Sequence, residues 1–217
     1  MVRITYYLDV ISSWCHYVEP VWKDLKEIFG DDLETDWQIA LIPEEGLPGS
    51  VAEEEWYYRR SGILTRQSVP LNSGWIDLSL KEYLIPNLVA VVCRDLGYEG
   101  DDVRLAITEA ALYRGEKVGT LEVSASVAAG VSGLSEEAII RQARNGEAEK
   151  KIRQSTSRFH SYGINQRPAF FLESEIEDRA IFSGLIKPEP LITTIHAMME
   201  DVKAYRAWSA HMGQFKA

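Results

Sequence analysis

The segment Tyr6-Tyr7-Leu8-Asp9-Val10-Ile11-Ser12-Ser13-Trp14-Cys15-His16-Tyr17-Val18-Glu19-Pro20 compresses a strand, a tight polar turn and a helix start into one short run. Arg3 to Leu8 is rich in β-branched and aromatic residues and predicts a buried strand. From Trp14 to Phe29, apolar Val18, Val21, Trp22, Leu25, Ile28 and Phe29 recur by threes and fours, the period of an amphipathic helix. Gly30 stands where a left-handed C-terminal residue is wanted. Pro20 lacks an N–H and predicts a kink or an early end to the first helical segment. At the junction the first helical N–H groups have no intrahelical partner and the helix dipole is positive, so a thiolate is stabilised there. Ser12 or Ser13 also meets the ordinary need for a hydroxyl N-cap, which on its own accounts for the serines without any chemistry.

The rest of the chain tells which architecture this junction belongs to. Leu33 to Ile42 reads as a second strand, so strand, helix and strand form a right-handed βαβ unit. Breakers at Pro43, Gly46, Pro48, Gly49, Pro70, Asn72, Ser73 and Gly74 mark loops around a charged, aromatic helix from Val51 to Arg60. Helical periodicity then covers Tyr83 to Leu96, Asp101 to Arg114, Leu121 to Ala129, Ser135 to Asn145 and Glu147 to Ser161. Pro168 directly precedes an apolar strand, a place where proline is tolerated and where the cis form is a candidate. Asp178 to Gly184 completes a hairpin, and Pro188 to Tyr205 is a last amphipathic helix. The predicted class is α/β: βαβ and ββα halves separated by a large helical insertion. Residues 1–43 and 158–205 form one discontinuous domain, 44–157 the inserted helical domain and 206–217 a loose tail.

Composition narrows the partners. With 23 basic and 33 acidic side chains the net charge is −10, which disfavours nucleic acid and anionic membranes. No apolar run approaches membrane-spanning length. Cys15 and Cys93 are too few for a disulfide framework, and the apolar run around Cys93 assigns it to the core. Taken as a whole chain this is a cytoplasmic protein with reduced thiols; a secreted form stripped of its leader would look the same. His160, His196 and His211 fall on separate elements without ligand spacing, so no metal site is expected.

The element order resembles the thioredoxin fold with the helical insertion of the DsbA family. Ser12-Ser13-Trp14-Cys15 stands where that family places CxxC, Pro20 follows Cys15 at the offset of its helix proline, and Pro168 matches its cis-proline. Gly184, Pro188 and Leu191 resemble the closing strand-to-helix segment. The first CxxC position is a serine, however, so the turn cannot cycle between dithiol and disulfide. Asp9-Val10-Ile11-Ser12-Ser13-Trp14-Cys15 is similar at this point to the turn of kappa-class glutathione transferases and 2-hydroxychromene-2-carboxylate isomerase. That resemblance implies an enzyme that binds glutathione or another small thiol, with Ser12 hydrogen-bonded to the thiol sulfur and a small molecule as second substrate. It implies thiol-binding roles for Ser13, Trp14, Arg167 and Pro168, and is compatible with a homodimer.

Several readings stay open at this point. Cys15 is either a reactive thiol, in a monothiol redox protein, or a buried remnant of the resolving position, which points inward in the family. His16 is an ordinary helix-surface residue or a proton shuttle. Arg167 either grips a ligand carboxylate or is solvated. A non-catalytic thioredoxin-fold binding module is the remaining alternative. The aromatics Trp14, Trp56, Tyr57, Tyr58 and Trp75 line an apolar pocket, pack a core or form a dimer face.

Overall fold

Val2–Leu8 forms β1, one of the two inner strands of the sheet. It runs parallel to β2 (Leu33–Ile39) and antiparallel to β3 (Ala169–Ser174), which pairs antiparallel with β4 (Arg179–Ser183), giving the order β2-β1-β3-β4. The computed structural model describes residues 1–66 and 69–213. Its helices are α1 (Ser13–Phe29), α2 (Val51–Thr65), α3 (Leu84–Asp95), α4 (Asp102–Leu112), α5 (Leu121–Ser132), α6 (Glu136–Ala143), α7 (Glu147–Ser161) and α8 (Pro188–Gly213). Helices α2 to α7 all lie between β2 and β3 in sequence, so the helical insertion divides the α/β frame as predicted.

Alternation along β1 sends neighbouring side chains to opposite faces. Ile4, Tyr6 and Leu8 join the main core with Val18, Trp22 and Leu25 of α1 and Leu191 and Ile195 of α8. Tyr6 stacks on its cross-strand partner Phe170 at 4.8 Å and lies 5.4 Å from Trp22. Tyr7 faces the other way, into a smaller cluster with Ala169, Phe171 and Phe159 of α7. Each such fully buried large apolar side chain is worth about 1.5–3 kcal/mol. The paired clusters therefore fix β1, and with it the position of the turn at its end.

Several boundaries differ from the sequence reading. Helix α1 continues through Pro20 because that residue faces solvent while Val18, Trp22, Leu25 and Phe29 are buried on both sides of it. Helix α2 extends past Arg60 to Thr65, and β2 ends at Ile39. The loose tail is corrected in part: α8 runs to Gly213, steadied by Arg206, whose Nε and Nη2 donate to Glu175 at 2.5 Å each, and by Tyr205 packed on Trp208. Residues 67 and 68 of the insertion and 214–217 of the tail lie outside the described residues.

The insertion is fastened to α1 by a buried charge cluster. Arg104 of α4, only 2% exposed at its side chain, donates to Glu19 at 2.6 Å and to Asp101 at 3.1 Å. Tyr6 donates to the same Glu19 oxygen at 3.2 Å, while Trp22 and Lys26 both donate to Asp101. Removing one partner from such a cluster leaves the others buried and uncompensated. Arg104→Met should therefore lower the unfolding free energy by about 3 kcal/mol, read as a drop in the urea midpoint at unchanged slope.

Candidate functional site

The turn between β1 and α1 is held from three directions. Ser12 donates its N–H to the Asp9 carbonyl at 3.0 Å and accepts the Cys15 N–H on its hydroxyl at 3.3 Å, capping α1. The Asp9 carboxylate, 1% exposed, accepts from the N–H of Ile11 at 3.1 Å, the N–H of Ile42 at 2.9 Å and Asn87 Nδ2 at 3.0 Å. Asn87 accepts the Val10 N–H at 3.0 Å, and Thr108 donates to the Val10 carbonyl at 2.7 Å. Burial pushes the Asp9 carboxyl up, against the three donors and the charge of Arg167. Asn87 and Thr108 are functional supports that sequence reasoning did not single out; the visible signal was one amide inside the apolar run of α3.

Capping satisfies the third helical N–H and leaves those of Ser13 and Trp14 without partners among the described residues. Facing them is the start of β3. The Arg167–Pro168 bond is cis, and the Pro168 carbonyl accepts the N–H of Gly184 at 2.8 Å, in a left-handed backbone that suits glycine. The backbone N–H and carbonyl of Arg167 take no partner among the described residues. Between turn and strand lies a cavity of about 430 Å³ walled by Ser12, Trp14, Ile42, Gln166 and Arg167. Ser13 does not reach this cavity but lines a neighbouring one, and Pro168 is buried behind the wall.

Arg167 fits neither a solvated side chain nor one paired within the protein. Its guanidinium lies over the Phe159 ring at 5.0 Å, with Nε and Nη2 buried and without hydrogen-bond partners. Burial pulls its pKa down, and the nearby Asp9 and Cys15 oppose that. A half-buried, unpaired cation on the cavity wall favours an anion bound beside it.

Cys15 is shut away from this cavity. It is 3% exposed, and burial pushes its thiol up to about 12, although the Ser12 hydroxyl and the Asp9 backbone favour the thiolate. Of the two readings of Cys15, its burial and raised pKa match the buried remnant, and of Ser12 and Cys15 only Ser12 lines the cavity. Cys93 is fully buried and pushed up to about 12 by burial alone. His16 is more than a surface residue, since Nε2 lies 2.8 Å from the Tyr113 hydroxyl and burial lowers its pKa. Among the described residues no group of His, Cys, Asp and Glu is arranged to hold a metal ion, and no helix is long and apolar enough to cross a membrane.

No protein-family model and no curated protein matches the chain. Solved structures do. A candidate protein disulfide isomerase from Nitrosomonas europaea aligns at a TM-score of 0.75 and 20% identity, over 92% of this chain and 98% of that one. The chain has the DsbA-like thioredoxin fold. The cytosolic disulfide reductase DsbM from Pseudomonas aeruginosa, solved with GSH, aligns at 0.67 and 17% over 91% of this chain and 99% of its own. A 2-hydroxychromene-2-carboxylate isomerase aligns at 0.60 and 12%, over 95% and 98%.

With both thiols pushed to about 12, the thiolate fraction at neutral pH is negligible. Iodoacetamide at pH 7 to about 9 should leave the native protein unmodified, and unfolding should expose both cysteines to alkylation by mass spectrometry. Rapid native labelling at Cys15 would restore it as a nucleophile.

Proposed function

We propose that this protein is a thiol-dependent enzyme that binds glutathione, or another small thiol, at Ser12 and presents its sulfur to a second, small-molecule substrate. One observation carries the reading: the residue at the nucleophile position is a serine on the wall of an anion-favouring cavity, while the adjacent protein thiol is buried. The thiol has to arrive from outside.

Each part of the cavity has a task in this scheme. The Ser12 hydroxyl, which accepts the Cys15 N–H, donates its own proton to the ligand sulfur, a strong acceptor once ionised. The α1 dipole, whose positive end is the free N–H groups of Ser13 and Trp14, adds about 0.3–1 kcal/mol in favour of the thiolate, up to about 2 kcal/mol when partly buried. Arg167 contributes its charge, and its unpaired backbone offers a peptide-like ligand an N–H and a carbonyl. The ligand thiol, ordinarily ionising near about 8.5, loses its proton to water at neutral pH. The thiolate then attacks an electrophile, or adds reversibly to a conjugated substrate as an isomerase requires. DsbM carries GSH in its structure, which supports a small-thiol reading; the isomerase neighbour supports isomerase chemistry on this fold, and the cytosolic DsbM suits a cytoplasmic location.

The buried Cys15 counts against a monothiol redox protein, and the cavity beside Ser12 counts against a non-catalytic module. Calorimetry with reduced glutathione checks the reading. Ser12→Ala should weaken binding by about tenfold or more, the loss of one hydrogen bond to a charged group, whereas Cys15→Ala should leave it unchanged. Absence of binding at millimolar glutathione, or an unaltered affinity in Ser12→Ala, would overturn it.

A further inference from the structure

Beside the Ser12 cavity lies a second hollow of about 290 Å³. The two share Ser12, Trp14, Ile42 and Gly46, so the hollow opens onto the place where a bound sulfur would sit. Its remaining apolar wall comes from Leu47, Pro48, Tyr57 and Trp75, and its charged wall from Glu45, Glu53 and Glu54. No lysine, arginine or histidine is among the described residues that line it. The Ser12 cavity holds the opposite charge, that of Arg167.

The three acids are not equivalent. Glu53 is engaged at the N-terminus of α2, accepting the Gly49 N–H at 2.8 Å while its own N–H donates to Ser50. Glu45 is exposed on its loop. Glu54 is half-buried and has no cationic partner among the described residues. One turn further along α2, the buried Tyr58 hydroxyl accepts the Trp75 indole N–H at 2.8 Å. Glu54 lies on the same face of α2 as Tyr58 and lines the hollow together with Trp75. Burial raises the Glu54 carboxyl, a cost that a cation or N–H donor bound in the hollow would relieve.

We propose that this hollow is the second-substrate subsite, that it takes a flat aromatic compound bearing an ammonium or other N–H or O–H donor, and that Glu54 is its specificity-determining residue. Aromatic walls with one half-buried carboxylate suit a cation or donor on an apolar frame. A carboxylate substrate, of the kind named in the isomerase neighbour, would bring its charge against unpaired Glu54 and Glu45 with no cation to receive it. The word substrate rests on the small-thiol reading above; the binding itself does not.

Calorimetry on the full chain, without thiol, tests it with three ligands on one frame: naphthylmethylamine, naphthylmethanol and naphthoate. The amine should bind about tenfold or more tightly than naphthoate, with the alcohol between them. Glu54→Gln should weaken the amine by about tenfold and narrow the gap to naphthoate. Glu55→Gln, which removes the same charge from the exposed face of α2, should leave the order intact. Naphthoate binding as tightly as the amine, no binding by any of the three, or equal losses in the two variants would overturn the proposal. If Glu54→Gln does not fold, judged by its thermal melt, the amine-to-naphthoate ratio on the unaltered protein decides. Glutathione titrated in the same series separates the two readings. Its failure with the ligand order intact removes only the thiol, and its success with no amine preference removes only this subsite.

Discussion

The carboxylate of Asp9 is the interaction on which the site depends. It ends β1, receives the N–H of Ile11 within the turn, the N–H of Ile42 after β2 and the amide of Asn87 from α3. Burying a charged group without partners costs several kcal/mol, and each of these donors offsets part of that cost. The consequence is geometric. Three segments far apart in sequence must meet at one point, and Ser12 is carried to the cavity by that meeting rather than by the turn alone.

Two effects compete for a sulfur at this turn, and position decides between them. The helix N-terminus favours a thiolate by about 0.3–1 kcal/mol, up to about 2 kcal/mol, whereas removal from water opposes it by more. At the third helical residue, facing the core, desolvation wins and Cys15 stays protonated. A sulfur on the cavity side of Ser12 would feel the same dipole, the charge of Arg167 and the solvent-accessible cavity without the burial. Under the proposed function, that division would leave the favourable field beside Ser12 to a ligand sulfur.

Much of the fold was legible because periodicity reports burial directly. The alternation of Val2–Leu8 and the threes and fours of Val18, Trp22, Leu25 and Phe29 marked the strand and the helix that now share the core. Pro168 before an apolar run marked the strand opposite the turn. What stayed hidden depends on contacts distant in sequence. The direction of Arg167 is set by Phe159 of α7, the partner of His16 lies on the chain after α4, and the extra length of α8 follows from Arg206 meeting Glu175. Cys15 and Ser12 sit on one turn, and only the packing of α1 against β1 reveals which of them faces inward.

The charge cluster around Arg104 has a consequence for how the molecule can have been assembled from its parts. An insertion held only by two loops behaves as a lodger, free to vary or to open independently of its host. Here α4 sends its arginine to Glu19 of α1, and β1 donates the Tyr6 hydroxyl to the same glutamate, so the two halves share one network of charges and hydrogen bonds. That network couples the insertion to the helix that carries Ser12. Local opening of the insertion would take Arg104 from the half-buried Glu19 of the helix that presents Ser12, and leave it only the Tyr6 hydroxyl.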